Sequence, residues 1–487
     1  MSKHYIILGN QLLRDHPALN DPDASIIMIE AHDLCSVFRY HKHKLMLILT
    51  AMRTYRDFLE SKGFNVIYVH YKPDSVFMTQ LETVINENEV KELLWMEPSD
   101  SSPGKRLVAF CKKHELSYEQ LPNQQFITST SDFREWYTSA SSTVMESFYR
   151  WQRKRTGILM NVKQPEGGEW NYDHENRKPL PKSAIDIPPL PTLRSSKHSK
   201  DVAEIIERNF PQNPGDARTF WLPTDFVGAD EWLDRFIQER SNLFGDYEDA
   251  SLDGEPFLYH SVLSPMLNCG LLEPNQIVNA ALDAYKSGVM PLNSCEGFIR
   301  QVIGWREYMN GMYRMMPELK DANYFEFTKE LEDWWYSEEF EQQELPIPLK
   351  SVLRTVHSYG YNHHIERLMI LGNWFLLNEY NPKSVYKWFS SMYVDAYDWV
   401  MVPNVQGMSQ YADGGHIATK PYISGGNYLQ KMGRWWPSLD QAKKSDYNTL
   451  YWKFLIANKD KLADNPRMSI MLKMAEKQGS SKTLGLN

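Results

Sequence analysis

The sequence predicts an α/β domain with a parallel, Rossmann-like sheet, then a long linker, then an all-α domain. Residues 1 to about 130 alternate short apolar runs with amphipathic segments, which is typical of strands joined by helical crossovers. Residues 131 to about 215 are rich in proline and glycine. From about 216 onward the apolar periodicity is mostly helical. We therefore predict domains at 1–130 and 216–487, joined by a linker at 131–215.

The order of elements in the first 130 residues supports a parallel sheet. Four apolar runs predict buried strands, at 5–8, 25–30, 65–71 and 93–96. The amphipathic stretches between and after them predict helices at 43–61, 74–88 and 103–114. Strand–helix alternation implies right-handed crossovers between parallel strands. The sequence contains no GxGxxG pattern, so the ordinary dinucleotide-binding fingerprint is absent.

The linker carries a local excess of positive charge. Residues 145–160 predict one helix with a basic face, and the prolines and glycines beyond it break any longer helix. Between Arg150 and Lys200 there are 11 Lys or Arg and 5 Asp or Glu, a balance of 11 − 5 = +6. Because the whole chain has a net charge of −9, a nucleic acid would have to bind one patch. A solvated loop explains the local charge equally well.

Composition and cysteine spacing limit the class of protein. Eleven of the 15 tryptophans lie from Trp221 onward, which fits a helical domain built around a flat cofactor, although a large helical core would explain the same asymmetry. No apolar run reaches the roughly 18 residues of a membrane span, and no signal-peptide pattern precedes the first strand. The four cysteines are too widely spaced for a disulfide framework. We expect a cytoplasmic monomer without a membrane partner.

Residues 394–422 carry the most informative pattern of the chain. Polar side chains alternate there with Trp, Met and Pro, and three glycines let backbone come close to something bulky. An apolar wall with a few placed polar groups suits a large heteroaromatic ligand. Related runs are EGFIRQVIGWREY at 296–308, GYNHHIERLMILGN at 360–373 and SPMLNCGLL at 264–272.

Together these segments resemble the bacterial photolyase-related branch of the photolyase/cryptochrome superfamily, which contains prokaryotic (6-4) photolyases and cryptochrome-like relatives. The resemblance runs from IILGNQL at 6–12 to LYWKFL at 450–455. It implies an N-terminal antenna-type domain and a C-terminal helical domain that buries FAD. Matching motif positions imply these FAD-binding residues: His260, Ser261, Ser264, Asn268, Gln301, Trp305, Arg306, Leu368, Asp395, Ala396, Met401, Asn404 and Met408.

Some of these residues also have ordinary structural explanations. Ser261 and Ser264 are typical helix caps. Arg306 either meets a phosphate or pairs with the adjacent Glu307, which is the commoner fate of such an arginine. Met401 departs from the family, because relatives often carry an acid at this place in the WVxxPN stretch. A thioether cannot exchange a proton at neutral pH, so protonation of the cofactor would run differently here.

The resemblance also implies two residues that act on a lesion in DNA. His363 and His364 are adjacent on a predicted helix, so they point about 100° apart and cannot face one site equally. His364 matches the family's lesion-facing histidine, whose ordinary pKa suits proton donation and return. Tyr422, in TKPY, matches a lesion-contacting tyrosine. Spacing alone favours a core histidine at 364 and an ordinary packing role for Tyr422.

The family's accessory cofactors are altered in this sequence. Members of the branch usually hold a 4Fe–4S cluster with four cysteines, but the corresponding stretches here contain none. We therefore predict no cluster and no other metal site, and expect Trp435 and Trp436 to fill the space. The antenna motif reads GNQL, with Asn10 in the usual acidic place. Two alternatives follow for this region. Asn10 and Glu30 bind a 6,7-dimethyl-8-ribityllumazine antenna, or Glu30 lies on a solvated surface.

Electron supply to the flavin is the third altered feature. Trp388 matches one family position, but the next residue is Phe389 where relatives carry Tyr, and Phe has no proton to release. A route through Trp374 or Trp399 is the alternative, and the sequence does not choose among the three tryptophans.

The resulting interpretation is a (6-4) DNA photolyase, a lyase that repairs UV-damaged DNA by light-driven electron transfer from reduced FAD. Its phosphate-contacting residues would be Arg150, Arg153, Arg177 and Lys178. The first alternative is a cryptochrome-like blue-light photoreceptor with the same fold and FAD, and the second is a non-photochemical DNA-binding module. The lesion-facing His and Tyr favour repair, whereas Met401, the missing cluster and the acidic net charge favour a changed role.

Overall fold

The computed structural model describes residues 3–181, 186–192 and 195–479. Its first part is built on five parallel strands: β1 (His4–Ile6), β2 (Ser25–Ile29), β3 (Asn65–Val69), β4 (Glu92–Met96) and β5 (Ser117–Leu121). They form one sheet in the order β3-β2-β1-β4-β5. The first strand lies in the centre and pairs with both β2 and β4. The parallel α/β prediction is confirmed.

The predicted strands and helices of this part are present, with one strand missed. The crossovers are α1 (His32–Cys35), α2 (Lys42–Ser61), α3 (Phe77–Glu87) and α4 (Ser101–Lys113). The sequence pattern did not predict β5, because its residues SYEQL form no apolar run. This strand is mostly exposed and lies at the edge of the sheet, so a polar composition costs it little.

The two faces of the sheet belong to different hydrophobic cores. Ile6, Ile27 and Trp95 pack into a core made within the α/β part. Their strand neighbours Tyr5 and Ile26 face the other way and share a core with residues of the helical part. Alternation along each strand therefore seats the sheet on the helical part, which explains why its strands are apolar on both faces.

The connection between the two parts is more ordered than its proline content indicates. It contains α5 (Thr130–Ser139), α6 (Met145–Thr156), a hairpin of β6 (Met160–Asn161) and β7 (Gln164–Pro165), and α7 (Ser199–Asn209). The predicted basic helix is α6, which ends where Gly157 adopts φ +73°. Residues 182–185 and 193–194 of the predicted basic linker lie outside the described residues.

The remainder is helical. Its α-helices are α8 (Phe226–Glu239), α9 (Ser241–Tyr247), α10 (Ser264–Cys269), α11 (Pro274–Lys286), α12 (Leu292–Ile299), α13 (Glu307–Met315), α14 (Ile347–Tyr359), α15 (Asn373–Leu377), α16 (Pro382–Met392), α17 (Asp398–Met401), α18 (Gly426–Gly433), α19 (Leu439–Lys443), α20 (Asp446–Ala457), α21 (Lys459–Leu462) and α22 (Ser469–Gly479). Short 3-10 turns occur at Pro17–Asn20, Glu166–Gly168, Ala217–Thr219, Pro317–Asp321, Asp333–Tyr336 and Glu338–Gln342. Across the described residues, no helix combines the length and apolarity needed to cross a membrane.

Three π-helical segments interrupt this domain, at Arg300–Arg306, Glu366–Gly372 and Val402–Ser409. Each widens a helix by one residue per turn, which is uncommon and is found mostly at functional sites. All three fall inside the sequence motifs quoted above. Two of them approach closely, because a Cβ on Gly372 would collide with the Ser409 hydroxyl.

His41 joins the linker, the α/β part and the helical part. Its Nδ1 accepts from the His43 backbone N–H at 3.1 Å, so its Nε2 is the donor to the His357 carbonyl at 2.9 Å. The ring lies against Gly215 and Gly360, both of which have positive φ. No side chain larger than hydrogen fits at either glycine without moving this ring.

We expect Gly360→Ala to lower the free energy of unfolding by about 3 kcal/mol, because backbone strain and overpacking each cost roughly 1–3 kcal/mol. An added Cβ would lie 2.8 Å from Val394 Cγ1 and 3.0 Å from His41 Nδ1. Gly63→Ala is the control, since Gly63 has φ +89° but nothing within 4 Å of a Cβ. Urea denaturation midpoints of both variants test this prediction. Equal losses of stability in the two variants would contradict the close packing of the His41 ring against Gly360.

Candidate active site

A buried ion pair organises the predicted cofactor-binding residues. Arg367 Nη1 and Nη2 donate to the two carboxylate oxygens of Asp395 at 2.9 and 3.0 Å. The Ser264 hydroxyl donates to Asp395 Oδ2 at 2.5 Å, and Asn268 Nδ2 donates to the Asp395 carbonyl at 2.9 Å. The guanidinium lies 4.1 Å from the ring centroid of Tyr393. Three predicted residues from two separate motifs, Ser264, Asn268 and Asp395, are thus joined by hydrogen bonds.

Arg367 itself was not predicted. Burial lowers the pKa of Arg367, but the charge of Asp395 outweighs burial and holds that pKa above its ordinary value. In the sequence it follows Glu366 directly, and adjacent opposite charges indicate a solvated helix face. Ser264 is the first residue of α10, after the N-cap Leu263, and its hydroxyl donates to the ion pair.

The predicted residues of the π-helical segments form partly accessible faces among buried neighbours. Gln301 and Trp305 are partly exposed, whereas the three residues between them are buried. Asn404 and Met408 show the same four-residue spacing, and Leu368 is partly exposed on the third segment. Accessibility at this spacing is the pattern of side chains that line a cleft.

Asn404 has the hydrogen-bonding capacity of a ligand contact. Its Nδ2 donates to the Val400 carbonyl at 2.7 Å, which fixes the amide. Its Oδ1 accepts from no described residue. Met401 is buried on α17, and the Ala396 carbonyl accepts from the buried ammonium of Lys44.

Three imidazoles lie together beside this cleft. His260 and His363 are buried and stack with ring centroids 4.2 Å apart and planes within 9°. His364 meets His260 edge-on at 5.4 Å, and its side chain is 52% exposed. His363 precedes the helix, which begins at His364, so the two adjacent histidines face different surroundings as predicted although only one of them is helical.

The stacked arrangement suits neutral imidazoles rather than a metal. One ring nitrogen from each of His260, His363 and His364 lies within 4.8 Å of the others. A metal lies in the plane of each imidazole that binds it, and the two stacked planes are nearly parallel, so one ion cannot satisfy both rings. Burial lowers the pKa of His260 and of His363 well below the ordinary value. Both ring nitrogens of His363, and Nε2 of His260, lack a hydrogen-bond partner among the described residues.

His364 and Tyr422 share a neighbouring carboxylate that the sequence did not predict. His364 Nε2 lies 3.4 Å from Asp249 Oδ1. Burial raises the pKa of Asp249, but the hydrogen bond and charge of His364 outweigh it and leave that pKa below its ordinary value. Burial raises the pKa of Tyr422, the charge of Arg177 opposes burial, and the charge of Asp249 adds to it. Tyr422 is therefore within electrostatic range of the carboxylate that pairs with His364.

Arg306 lies between the α/β part and the helical part. Its guanidinium is 4.3 Å from the Phe126 ring centroid and 5.1 Å from that of Trp399, and Nη1 donates to the Gln125 carbonyl at 2.8 Å. Glu307 Oε1 is 3.5 Å away, which is the structural alternative that the sequence left open. Burial lowers the pKa of Arg306 to about 10. Its Nε and Nη2 have no acceptor among the described residues.

Comparison with known proteins decides the family. Residues 5–222 match the family described as deoxyribodipyrimidine photo-lyase-related protein. The (6-4) photolyase of Agrobacterium fabrum is 36% identical over 483 residues, which cover 96% of this chain and 94% of the relative. The chain belongs to the photolyase-related family.

Solved structures of the superfamily share the fold. A bacterial class III photolyase from Agrobacterium tumefaciens aligns with TM-score 0.59 and 16% identity over 98% of this chain and 92% of its own. A Synechocystis cryptochrome aligns with TM-score 0.61 and 13% identity over 93% of this chain and 89% of its own. The α/β plus all-α fold class is confirmed.

Aromatic rings connect the Arg367–Asp395 pair of this photolyase-related protein to the surface. Tyr393, under the guanidinium, lies 6.0 Å from the buried Trp388 by ring centroids. Trp388 lies 6.1 Å from Trp335, which stacks on the partly exposed Trp334 at 4.3 Å. The other two predicted tryptophans lie elsewhere: Trp374 contacts Tyr447 and Trp399 contacts Phe126.

The predicted DNA-contacting residues differ in accessibility. Arg153 is 0% exposed, and its guanidinium donates to the carbonyls of Leu159 and Trp170. It holds the linker together and cannot reach a phosphate, so that interpretation of Arg153 is corrected. Three predicted residues are exposed and pair with carboxylates: Arg150 with Glu146, Arg177 with Asp173, Glu248 and Asp249, and Lys178 with Asp246.

The proposed antenna residues are engaged within the protein. Both Glu30 carboxylate oxygens bind Arg53, at 2.7 and 2.9 Å, and they also accept from the Tyr68 hydroxyl and the Tyr71 backbone N–H. The buried Glu30 is therefore not on a solvated surface. The Asn10 carbonyl accepts from Gln125 Nε2 at 2.6 Å.

One of the two adjacent tryptophans expected to fill the space of the cluster is buried. Trp435 is buried in the same hydrophobic core as Leu349 and Val352 of α14. Trp436 is only partly buried, and its backbone N–H and carbonyl both bind the Gln430 side chain. The chain's four cysteines are buried and unpaired.

Breaking the central ion pair tests its importance. We expect Arg367→Gln to lower the free energy of unfolding by about 3–5 kcal/mol, because it leaves the buried Asp395 carboxylate without its cation. Arg354→Gln breaks the exposed pair with Glu341 and should cost about 0–1 kcal/mol. Chemical denaturation compares the two variants, and similar losses would contradict the organising role. Adding Asp395→Asn to Arg367→Gln should recover part of the loss.

Proposed function

We propose that this protein repairs (6-4) pyrimidine photoproducts in DNA, driven by blue or near-ultraviolet light, with FAD as the cofactor. The observation that carries the proposal is the exposed imidazole of His364 beside the Asp249 carboxylate, with Tyr422 in electrostatic range of the same carboxylate. The three π-helical segments of the same domain carry several of the predicted flavin-binding residues. The name of the 36% identical relative supports the same activity.

The residues present fit a flavin. FAD, when bound, would supply the light-driven electron. A flavin ring carries several acceptors and one N–H, and the cleft offers amides, hydroxyls and the Asp395–Arg367 pair to them. Buried polar atoms without partners, at His260 and Arg306, support a polar ligand nearby. We propose that FAD contacts His260, Ser261, Ser264, Asn268, Gln301, Trp305, Arg306, Leu368, Asp395, Ala396, Met401, Asn404 and Met408.

His364 would hold the proton that the repair needs. A (6-4) lesion must leave the base stack to reach a buried site, and the exposed imidazole of His364 is where an extruded base would arrive. Asp249 Oδ1, 3.4 Å from Nε2, orients the imidazole that would give a proton to the photoproduct and take it back. Tyr422 would contact the same lesion through its hydroxyl.

DNA would approach across the exposed residues of the linker. Arg150, Arg177 and Lys178 are exposed, and each pairs with a carboxylate that a DNA phosphate would have to replace. We leave a lumazine antenna out of the proposal, because the Glu30 carboxylate already accepts four hydrogen bonds. A 4Fe–4S cluster is left out because the cysteines do not cluster.

One observation favours the cryptochrome-like alternative. The side chain of Met401 is 4% exposed on the helix that leads into the Asn404 segment, at the place where relatives often carry an acid. A buried thioether there could supply no proton to a bound flavin, and the loss of that proton donor would favour signalling over repair.

Repair of a defined lesion separates the two functions. We expect the reduced, flavin-loaded protein to restore an oligonucleotide with one (6-4) photoproduct under blue light. His364→Ala should lower the rate at least 100-fold, since positioned proton transfer contributes roughly 10²–10⁴-fold. His70→Ala, in the exposed end of the α/β sheet, is the matched control and should leave the rate unchanged.

Chromatography of the digested oligonucleotide measures the product, and a native protein that binds the lesion without repairing it would support the photoreceptor instead. Tyr422→Phe keeps the ring and removes only the hydroxyl. It should weaken repair less than His364→Ala does.

The aromatic path makes a separate prediction about flavin reduction. We expect Trp335→Phe and Trp334→Phe each to slow photoreduction of the bound flavin, because they remove an oxidisable ring between Trp388 and the surface. Trp452→Phe changes a partly buried tryptophan on α20 and serves as the control. Absorbance at 450 nm under illumination with an external reductant follows the rate. Unchanged rates in both variants would favour Trp374 or Trp399.

A further inference from the structure

The buried carboxyl of Glu366 lies against the buried imidazole of His363. Glu366 is 2% exposed and His363 is 1% exposed. Glu366 Oε1 lies 3.3 Å from His363 Nε2. Asn362 Nδ2 donates to the other carboxyl oxygen, Glu366 Oε2, at 2.9 Å. The carboxyl therefore accepts from a fixed amide and lies close to an imidazole nitrogen to which it makes no aligned hydrogen bond.

Glu366 has no cation of its own. Arg367, next in the chain, commits both Nη atoms to Asp395 and its Nε to the Asn362 carbonyl. The charged and titratable groups around the Glu366–His363 pair are Arg367, His364, His260, Asp249, Tyr361 and Tyr393. Of these, Asp249 is paired with His364, and the Tyr393 hydroxyl donates to Asn362 Oδ1 at 2.8 Å.

These surroundings decide where the proton of the pair resides. Burial raises the pKa of Glu366 to about 8, despite the opposing effects of Asn362 and Arg367. Burial, together with the charges of His364 and Arg367, lowers the pKa of His363 well below its ordinary value. At neutral pH the carboxyl is therefore protonated and the imidazole is neutral.

A relay through this contact requires one tautomer of His363. Neither ring nitrogen of His363 makes a hydrogen bond to a described residue, although Glu366 Oε1 lies 3.3 Å from Nε2. A protonated Glu366 can donate its O–H only to a bare Nε2, so the single ring proton of His363 has to be on Nδ1. One ring nitrogen from each of His363, His260 and His364 lies within 4.8 Å of the others, a separation that one water molecule spans.

We propose that Glu366 and His363 relay a proton to His364. The proposal rests on the proposed function, in which His364 protonates the photoproduct. As the Glu366 O–H bond breaks, an Nε2–H bond forms on His363, and the Nδ1–H proton of His363 passes through one water to the ring nitrogen of His364. Glu366 becomes a carboxylate and His364 is again an imidazolium. When the repaired base gives its proton back, the same bonds re-form in reverse.

Glu366→Gln removes the transferable proton and keeps both contacts, since the amide can still accept from Asn362 and donate to His363. We expect unchanged flavin content and lesion affinity but a repair rate about tenfold lower, a part of the roughly 10²–10⁴-fold that positioned proton transfer provides. Glu366→Asp should restore part of the rate. Glu273→Gln, which removes a partly buried carboxyl of raised pKa at the start of α11, is the control and should repair at the native rate.

The pH profile separates a relay from a merely structural role. Because the pKa of Glu366 is raised to about 8, its proton is present below pH 8 and is lost as the pH rises through 8. Native repair should therefore fall across pH 7–9, whereas Glu366→Gln should be flat over that range. A variant with the native rate and the native pH profile would overturn the relay.

A spectroscopic measurement keeps the test independent of repair. Histidine ¹⁵N spectra of the flavin-loaded native protein should show His363 neutral at pH 7 with its proton on Nδ1, and should change near pH 8. An Nε2–H tautomer, or no change near pH 8, would overturn the relay even if repair fails. If the spectra are as expected but the native protein repairs nothing, the proton-holding pair stands and the proposed repair function fails.

Discussion

The Arg367–Asp395 ion pair is the interaction on which the candidate site depends. It joins the segment after His364 to the segment before α17, and Ser264 and Asn268 bring in α10 through the same aspartate. A buried pair of this kind adds little stability over apolar packing, but losing one partner leaves an uncompensated charge. Its contribution is therefore geometric: it permits one arrangement of three segments and penalises the others.

The three π-helical segments give that arrangement its shape. An extra residue in a turn rotates the helix that follows, so faces that are continuous in an ordinary α-helix are offset across the segment. In this domain the offset turns Gln301 and Trp305, Asn404 and Met408 toward accessible space while their neighbours stay buried. It also lets the Gly372 backbone pack against the Ser409 hydroxyl, in a space that a β-carbon on residue 372 would fill. These partly accessible faces are a product of irregular helices held in place by the ion pair.

The sequence was sufficient to predict those strands and helices whose apolar residues recur with a regular period. Strands such as Ser25–Ile29 and helices such as Lys42–Ser61 bury continuous or periodic apolar residues, and both were predicted to within two residues. Charged residues were the systematic failure. Arg367, Glu366 and Asp249 were overlooked and Arg153 was placed on the surface, because local sequence favours solvent for a charged side chain and its burial depends on partners distant in the chain. The strand Ser117–Leu121 was missed because its exposed residues form no apolar run. Only its pairing with the strand Glu92–Met96 identifies it.

Buried polar atoms without hydrogen-bond partners lower the stability of the fold, and a polar ligand would offset that cost. His260, His363 and Arg306 each hold ring or guanidinium nitrogens away from water without a partner among the described residues, and each such group costs about 1–3 kcal/mol. A domain with a net stability of roughly 5–15 kcal/mol tolerates only a few of them. A ligand that supplies acceptors at these atoms recovers that free energy on binding, while apolar competitors recover none. Under the proposed function, the residues that weaken the fold are the ones that would select a polar cofactor and lesion.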